Sequence, residues 1–146
     1  MINFHYLCDI HIYTNMVRVA IKEKMKVLGI TNKELCAKLG MYMSNFSAFL
    51  SGKRGLPHKD LVRVMVELQI SIGNANQPRA MYPATMMHEV IREEIKHSTK
   101  PLKDISDELG IDNCVLSSFI SGNRKMALRH IENLMQMFNL KVLNAA

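Results

Sequence analysis

Two arginines at matching places in the chain are the residues whose type and setting most directly suggest chemistry. The strings NFSAFLSGKR (45–54) and VLSSFISGNR (115–124) resemble each other and end on Arg54 and Arg124. Each arginine follows a serine–glycine pair, and a guanidinium in such a polar loop can bind phosphate. The alternative is an interaction with the carbonyl end of the preceding helix, which attracts cations. Both interpretations require a helix that ends just before the arginine.

The sequence contains no arrangement typical of an enzyme active site. HEVIREE lacks the second histidine of the HExxH zinc-protease motif, and GKR lacks the Ser or Thr of the phosphate-binding GK[ST] motif. The six histidines are scattered, and Ser51 has no base near it in sequence. His5, Cys8 and His11 are spaced like metal ligands, but on one short strand they would point to both faces. We therefore expect no enzymatic activity, no cofactor and no metal site.

The positive charge of the chain is concentrated in its first half. The 146 residues carry a formal net charge of +6 and a sequence pI near 9.3. Residues 16–72 contain ten Lys and Arg against four Asp and Glu, whereas residues 86–146 contain eight of each kind. Such an excess suits an anionic partner such as nucleic acid or a membrane surface. No run of about eighteen apolar residues is present to span a bilayer, and we expect no membrane partner.

The cysteines indicate a reducing compartment. Cys8, Cys36 and Cys114 are odd in number, form no CxxC pair, and two of them fall within helical patterns. This usage is not that of a disulfide scaffold. The N-terminal residues also lack the basic and apolar regions of a secretory signal. We expect a cytoplasmic protein.

The second half of the chain repeats the first. At an offset of 70, residues 21–72 align with 91–142 without a gap, and twelve positions are identical. Many of the remaining positions exchange one apolar residue for another, such as Leu35 for Ile105 and Phe46 for Leu116. A chance match would not preserve the apolar pattern in this way. The chain therefore contains a duplicated unit of roughly 55 residues.

Each unit is predicted to form four helices. In the first unit, apolar residues recur at helical spacing from Val17 to Leu28, and Thr31 can cap a second helix that stops at Gly40. A third helix is predicted over about 43–51, and Pro57 opens a fourth. The corresponding helices of the second unit are predicted at about 86–97, 101–109, 113–121 and 127–139, where Asp112 is a better cap than its counterpart Tyr42.

These patterns divide the chain into four parts. Residues 1–15 form an extension, 16–72 the first unit, 73–85 a linker rich in Gly, Asn and Pro, and 86–146 the second unit. The extension alternates apolar and polar residues like an edge strand that could pair with a partner chain. The alternative is that translation begins at Met16. We therefore expect an all-α fold of two tandem four-helix units behind a short N-terminal β-strand.

Both units resemble the helix-turn-helix DNA-binding domain of the phage repressor and Cro-like (XRE) family. The resemblance rests on ITNKELCAKLGMYMSNFSAFLSGKRGLP (30–57) in the first unit and PLKDISDELGIDNCVLSSFISGNRKM (101–126) in the second. The shared features are a Leu-Gly-apolar turn between two short helices, a serine in the second helix, and a following glycine with basic residues. In this family the second of these helices, the recognition helix, enters the major groove of double-stranded DNA. The resemblance implies a sequence-specific, repressor-like transcriptional regulator.

The resemblance also assigns DNA contacts to individual residues. Asn32 stands where the family commonly has a Gln that contacts phosphate and supports the recognition helix, and Lys33 beside it adds to the positive field. In the first unit the positions that read bases are Met43, Ser44, Asn45 and Ala48, next to Tyr42, and those that contact phosphate are Ser51, Lys53 and Arg54. In the second unit the corresponding residues are Asn113, Cys114, Val115 and Ser118 for bases, and Ser121, Asn123, Arg124 and Lys125 for phosphate.

The two units are not expected to contribute equally. The first recognition helix has no Arg or Gln, the commonest readers of guanine and adenine, so phosphate contacts would supply most of its affinity. The second unit carries Asp104, Asp107 and Glu108, which would repel a phosphate backbone. We expect the first unit to lead binding, while the second binds DNA weakly, forms a homodimer or binds a protein partner. Two alternatives remain, an antitoxin-type regulator whose second unit or N-terminal strand binds a protein, and an interaction module that has lost DNA binding.

Overall fold

The computed structural model describes residues 16–144, which form eight α-helices and one sheet of three strands. The first half contains α1 (Met16–Leu28), α2 (Asn32–Leu39), α3 (Met43–Leu50) and α4 (His58–Glu67). The second half contains α5 (Met87–His97), α6 (Leu102–Leu109), α7 (Asn113–Ile120) and α8 (Leu128–Met137). The strands are β1 (Ile70–Asn74), β2 (Gln77–Pro83) and β3 (Leu140–Asn144), and a short 3-10 helix (Ala84–Met86) precedes α5. The predicted N-terminal strand and the His5, Cys8 and His11 spacing lie outside the described residues.

The expectation of an all-α fold is wrong, because an antiparallel sheet joins the two helical units and the protein is mixed α/β. The strand order is β2-β1-β3, with both neighbouring pairs antiparallel. The segment 73–85, predicted as a linker, supplies the end of β1, all of β2 and the first two residues of the 3-10 helix. Asn76 lies in the hairpin turn, and Pro78 and Pro83 lie in the edge strand β2, where these residue types are also common. Ile70, Ile72 and Leu140 are buried, so the sheet is part of the core.

The two short helices around each glycine turn begin and end close to where the sequence predicted. The hydroxyl of Thr31 accepts a hydrogen bond from the Glu34 N–H (3.1 Å) and caps α2. Gly40 and Gly110 end α2 and α6 with φ of 67° and 66°, the left-handed conformation that glycine adopts without a side-chain clash. These turns place α3 and α7 across the preceding helices.

The strands β1 and β3 are counterparts in the repeat and pair with each other. Their register joins Ile70 to Asn144, Ile72 to Val142 and Asn74 to Leu140. Replacing every residue by its counterpart 70 positions away leaves this register unchanged. The pair therefore has an approximate two-fold axis that passes between Ile72 and Val142 and exchanges β1 with β3.

The two units also meet along a contact region, here called the seam, which is formed by the starts of α1, α4 and α5 and by α8. The ring of His58, at the start of α4, stacks on His88 of α5 with centroids 3.8 Å apart. Glu132 of α8 is fully buried, and its Oε2 accepts a hydrogen bond from the Val17 N–H at the start of α1 (3.5 Å). Buried residues of both units and of the sheet form one continuous hydrophobic core. The units are therefore packed together.

Candidate nucleic-acid interface

Helix α3 buries one face and exposes the other. Phe46, Phe49 and Leu50 point into the core. Met43 is 51% exposed and Tyr42, just before the helix, is 78% exposed. Ser44 is also exposed, while Asn45 and Ala48 are half-buried at the edge of the exposed face. The side chains predicted to meet bases therefore lie at or near the surface.

Side chains from α1 and α2 hold α3 in place. The Asn32 side-chain amide donates to the Ser47 hydroxyl (3.3 Å), which joins the start of α2 to the middle of α3. The Nε–H of Arg18 donates to the carbonyl oxygen of Phe49 (2.8 Å), and its guanidinium lies 4.8 Å from the centroid of the Phe49 ring. A cation at this carbonyl end interacts favourably with the helix dipole. The orientation of α3 is thus set by both preceding helices.

The loop after α3 is folded back onto the helix. The Ser51 hydroxyl donates to the Ala48 carbonyl oxygen (3.0 Å), which also accepts from the backbone N–H groups of Lys53 (3.0 Å) and Arg54 (3.3 Å). The Arg54 Nη1 donates to the side-chain oxygen of Asn45 (2.9 Å). The side chain of Arg54 therefore contacts the exposed face of α3, and it is Arg18 that reaches the carbonyl end.

Several predicted residues of the first unit line one open cleft. A cavity of about 600 Å³ lies between the α2–α3 turn and the start of α4, and Tyr42, Asn45 and Arg54 are among its lining residues. Within residues 16–144, no ion pair involves Lys33, Lys53 or Arg54. Their charge is therefore available to an anionic partner on this side of the unit.

Two further cations of the first unit are engaged within the protein. Lys38 forms an ion pair with Glu67 of α4. Arg63 donates to the carbonyl oxygen of Leu39 and lies 3.6 Å from Asp60. These contacts fasten α2 to α4, so we assign Lys38 and Arg63 mainly to the fold.

The second unit presents the same helix with weaker chemistry. Most of its predicted site residues are exposed and two are half-buried: Asn113, Cys114, Ser121, Asn123, Arg124 and Lys125 in the first group, Val115 and Ser118 in the second. Leu102 replaces Asn32 and Val115 replaces Asn45, so neither side-chain hydrogen bond of the first unit can form. The exposed acidic residues Asp104, Asp107 and Glu108 lie on α6, where Glu108 pairs with Lys100.

Sequence reasoning missed Arg18 and Arg92, which make equivalent contacts in the two units. Arg92 of α5 donates to the Phe119 carbonyl oxygen (2.7 Å) and lies 4.8 Å from that ring, as Arg18 does at Phe49. The gapless alignment sets Arg18 opposite His88 and Arg92 opposite Lys22, one helical turn away. Four residues along a helix return a side chain to the same face, so either position can reach the same carbonyl. Identity at aligned positions could not reveal this pair.

The described residues show neither a metal site nor a membrane-spanning helix. Within residues 16–144, no group of three or more His, Cys, Asp or Glu side chains could hold a metal ion. None of the helices described is long and apolar enough to cross a membrane. Comparison of the chain with models of protein families, with curated proteins and with solved structures found no match. The family resemblance therefore stays a prediction.

Proposed function

We propose that the protein binds double-stranded DNA as a transcriptional regulator, with α3 of the first unit in the major groove. The observation that carries this proposal is the hydrogen bond between Arg54 and Asn45 (2.9 Å), which ties the basic loop to the exposed face of α3. A groove-binding helix needs its phosphate-binding loop at a set distance from its base-reading side chains, because phosphates and base edges are themselves at a set distance.

The exposed face of α3 suits shallow base contacts. Met43 and Ala48 can touch a thymine methyl group, and Ser44 can exchange a hydrogen bond with any base edge. Asn45 could contact adenine, but its side-chain oxygen already accepts from Arg54. Sequence preference would therefore be modest, and the backbone would supply most of the affinity.

The electrostatic contribution comes from exposed cations in the loop after α3 and at the start of α2. Lys53 and Arg54 follow α3, and Lys33 lies in the first turn of α2, where backbone N–H groups also favour an anion. Each cation that neutralises a phosphate releases counterions, so binding should weaken steeply as salt is raised.

The decisive experiment removes the loop cations. Replacing Lys53 and Arg54 together by alanine should weaken binding to all duplexes, because phosphate contacts carry little sequence information. The slope of log affinity against log salt concentration should become shallower by about two. The measurement is a fluorescence-anisotropy titration of a random-sequence duplex pool over a range of salt concentrations.

A charge-matched control separates a local contact from a general field effect. Lys22 and Lys26 are exposed on α1 and away from the loop in sequence, and replacing both by alanine removes the same charge from the same unit. This control should change the salt slope much less than the loop variant does. Equal effects of the two variants would contradict the proposed docking.

A protein partner is the second candidate, and a feature of the second unit favours it. A recess of about 150 Å³ between β2 and α5 is lined by Tyr82, Met86 and Val90 and by three glutamates, Glu89, Glu93 and Glu94. An apolar recess with acidic walls fits an apolar segment that carries Lys or Arg. If the intact chain shows no salt-dependent DNA binding, this candidate replaces the first.

A further inference from the structure

We propose that a single chain acts as its own dimer and binds, in one fixed orientation, a duplex that carries two unlike half-sites in inverted order. This inference rests on the proposed function and names the kind of DNA that the interface takes. Three features of the chain support it: the strand pair between the units, the packing of both units on that pair, and the differences between the two helices that would read bases.

The strand pair supplies the two-fold relation. The register of β1 with β3 pairs Ser71 with Leu143 and Gly73 with Lys141, which are counterpart pairs on either side of Ile72 and Val142. An antiparallel pair of this kind has its two-fold axis perpendicular to the sheet. The helices follow the same relation where the units meet, because one recess there is lined by the counterparts His58 and Leu128 and by Leu61 and Ile131. We extend this relation to α3 and α7.

Both units lie on the same side of the sheet. Opposite residues of an antiparallel pair share a face, and successive residues alternate between faces. Ile70, Ile72 and Leu140 share one face and are buried in the core with helical residues of both units. On the other face, Lys141 is exposed and Ser71 is half-buried. Two helices related by the axis and placed on one side of the sheet can approach one duplex in inverted orientation.

The side chains of β1 and β3 also favour pairing with each other over pairing with the same strand of a second chain. Gly73 and its counterpart Leu143 lie diagonally across the pair, and a Cβ atom on Gly73 would come within 2.5 Å of the Leu143 Cδ1. In the β1–β3 pair, the side chains at positions 73 and 143 compete for one space between the strands. Because position 73 is glycine, Leu143 occupies this space alone. A β3–β3 pair would bring two leucines together, and a β1–β1 pair would leave the space empty. The β1–β3 pair within one chain places a single leucine side chain in this space, which neither of the other two pairings does.

The unlike half-sites follow from the residues at matching positions. Ser44 corresponds to Cys114, Asn45 to Val115 and Met43 to Asn113, so the two helices offer different groups to the bases. The seam is also unsymmetrical, since His58 stacks on His88 whereas their counterparts are Leu128 and Arg18. The molecule has two distinguishable ends, and its orientation on DNA is therefore defined.

The experiment maps each end of the protein on DNA. Cys36 is only 4% exposed, so in a C8S/C114S/R129C protein a thiol-reactive iron chelate should label position 129, an exposed site at the start of α8 and outside the base-reading face of α7. A second protein, C8S/C114S/K59C, carries the chelate at the counterpart position at the start of α4, which is also exposed. Both are bound to the best duplex selected from a random-sequence pool, with room for about three helical turns, and the cut sites are mapped.

The expected result is one cluster of cuts from each protein, on opposite halves of the duplex and about one helical turn apart. Reversing the duplex in the assay should exchange the two patterns, because the orientation is fixed. Native mass spectrometry of the unlabelled complex should give one chain per duplex. Inverting one half-site alone should lower affinity by at least about tenfold.

Three results would overturn the inference while leaving DNA binding intact. They are cuts by both proteins over both halves, two chains on each duplex, and unchanged affinity after one half-site is inverted. A failure of the proposed function looks different, because the unlabelled chain would then select no duplex and show no salt-dependent binding. The R124A/K125A variant gives a further readout. It should lose affinity on the full site and match the wild type on a duplex that keeps only the half cut from position 59.

Discussion

At the scale of single residues, the seam buries two ionisable groups whose pKa values are displaced in opposite directions. Burial raises the pKa of the Glu132 carboxyl to about 7, opposed by hydrogen bonds from the backbone of Val17 and Met16 and by the charge of Arg18. Burial, aided by the nearby His58, Arg92 and Lys125, lowers the pKa of His88 to about 3. Both groups are therefore more stable uncharged in the folded protein, and each links folding to pH with its own sign.

The raised pKa of Glu132 predicts how the stability of the folded protein depends on pH. The folded protein holds this proton more tightly than the unfolded chain does, so the stabilisation is complete below about pH 4.5 and is lost as the pH rises to about 7. Glu132→Gln is always neutral and should not show this loss. Relative to the wild type, the variant should gain on the order of 2 kcal/mol in free energy of unfolding between pH 5 and pH 8. Urea titrations at both pH values measure it.

Two further variants make the result specific. Glu23→Gln on the exposed face of α1 should follow the wild-type pH profile. His88→Gln should act in the reverse direction, because His88 in the folded protein binds a proton more weakly than in the unfolded chain. The His88 contribution is present above about pH 6.5 and is lost as the pH falls toward 3, so the variant should be less sensitive to acid. A pH-independent difference between Glu132→Gln and the wild type would contradict the assignment.

At the scale of elements, α3 and α7 begin differently although they occupy the same place in the repeat. Asp112 accepts a hydrogen bond from the Cys114 N–H (2.8 Å) and caps α7. Tyr42 has the extended backbone of a capping residue (φ −76°, ψ 125°), but its side chain makes no capping hydrogen bond. The helix proposed to enter the groove thus lacks the cap that its counterpart has. A carboxylate at position 42 would also face the phosphates.

This contrast predicts opposite effects of a cap on folding and on binding. Tyr42→Asn should raise the free energy of unfolding by about 0.5–1 kcal/mol, because the amide can accept a hydrogen bond from the first turn of α3. Tyr42→Asp should be at least as stabilising, since its charge also favours the helix N-terminus. DNA affinity should fall more in the aspartate variant than in the asparagine variant. Equal affinity of the two would place Tyr42 away from the phosphates.

The sequence was informative where local chemistry decides the element. The cap at Thr31, the glycine ends of α2 and α6, and the cap at Asp112 depend on neighbouring residues, and each formed as predicted. The strands depend on distant partners. Ile70 and Ile72 alternate with Ser71 as a strand requires, but this run of two is too short to separate from a helix end without Val142 opposite it. Arg18 was missed for the same reason, since its partner lies 31 residues away.

At the scale of the whole molecule, the diagonal contact between Gly73 and Leu143 is where the two halves are fitted to each other. The space beside Gly73 is taken by the end of the leucine side chain. Even one added methyl group would require Leu143 to move, and crowding a packed site usually destabilises. The pairing of the halves can therefore be tested at one position.

A double-mutant cycle measures this fit. Gly73→Ala should lower the free energy of unfolding by about 1–2 kcal/mol, because the new Cβ meets Leu143. In a Leu143→Ala background the same change should cost little, giving a coupling of about 1 kcal/mol. Gly55→Ala is the control, since nothing lies within 4 Å of a Cβ at that position and its φ is not positive. Additive effects of the two strand substitutions would show that the strands are not fitted in this way.

The joining of β1 and β3 within one polypeptide has a consequence for dosage. Two separate copies must first meet, so at high dilution the occupancy of their target falls with the square of protein concentration. Two halves in one polypeptide do not have to meet first, so the occupancy of their target then follows the first power of protein concentration. Under the proposed function, a promoter governed by this molecule would respond in proportion to the first few copies made in a cell.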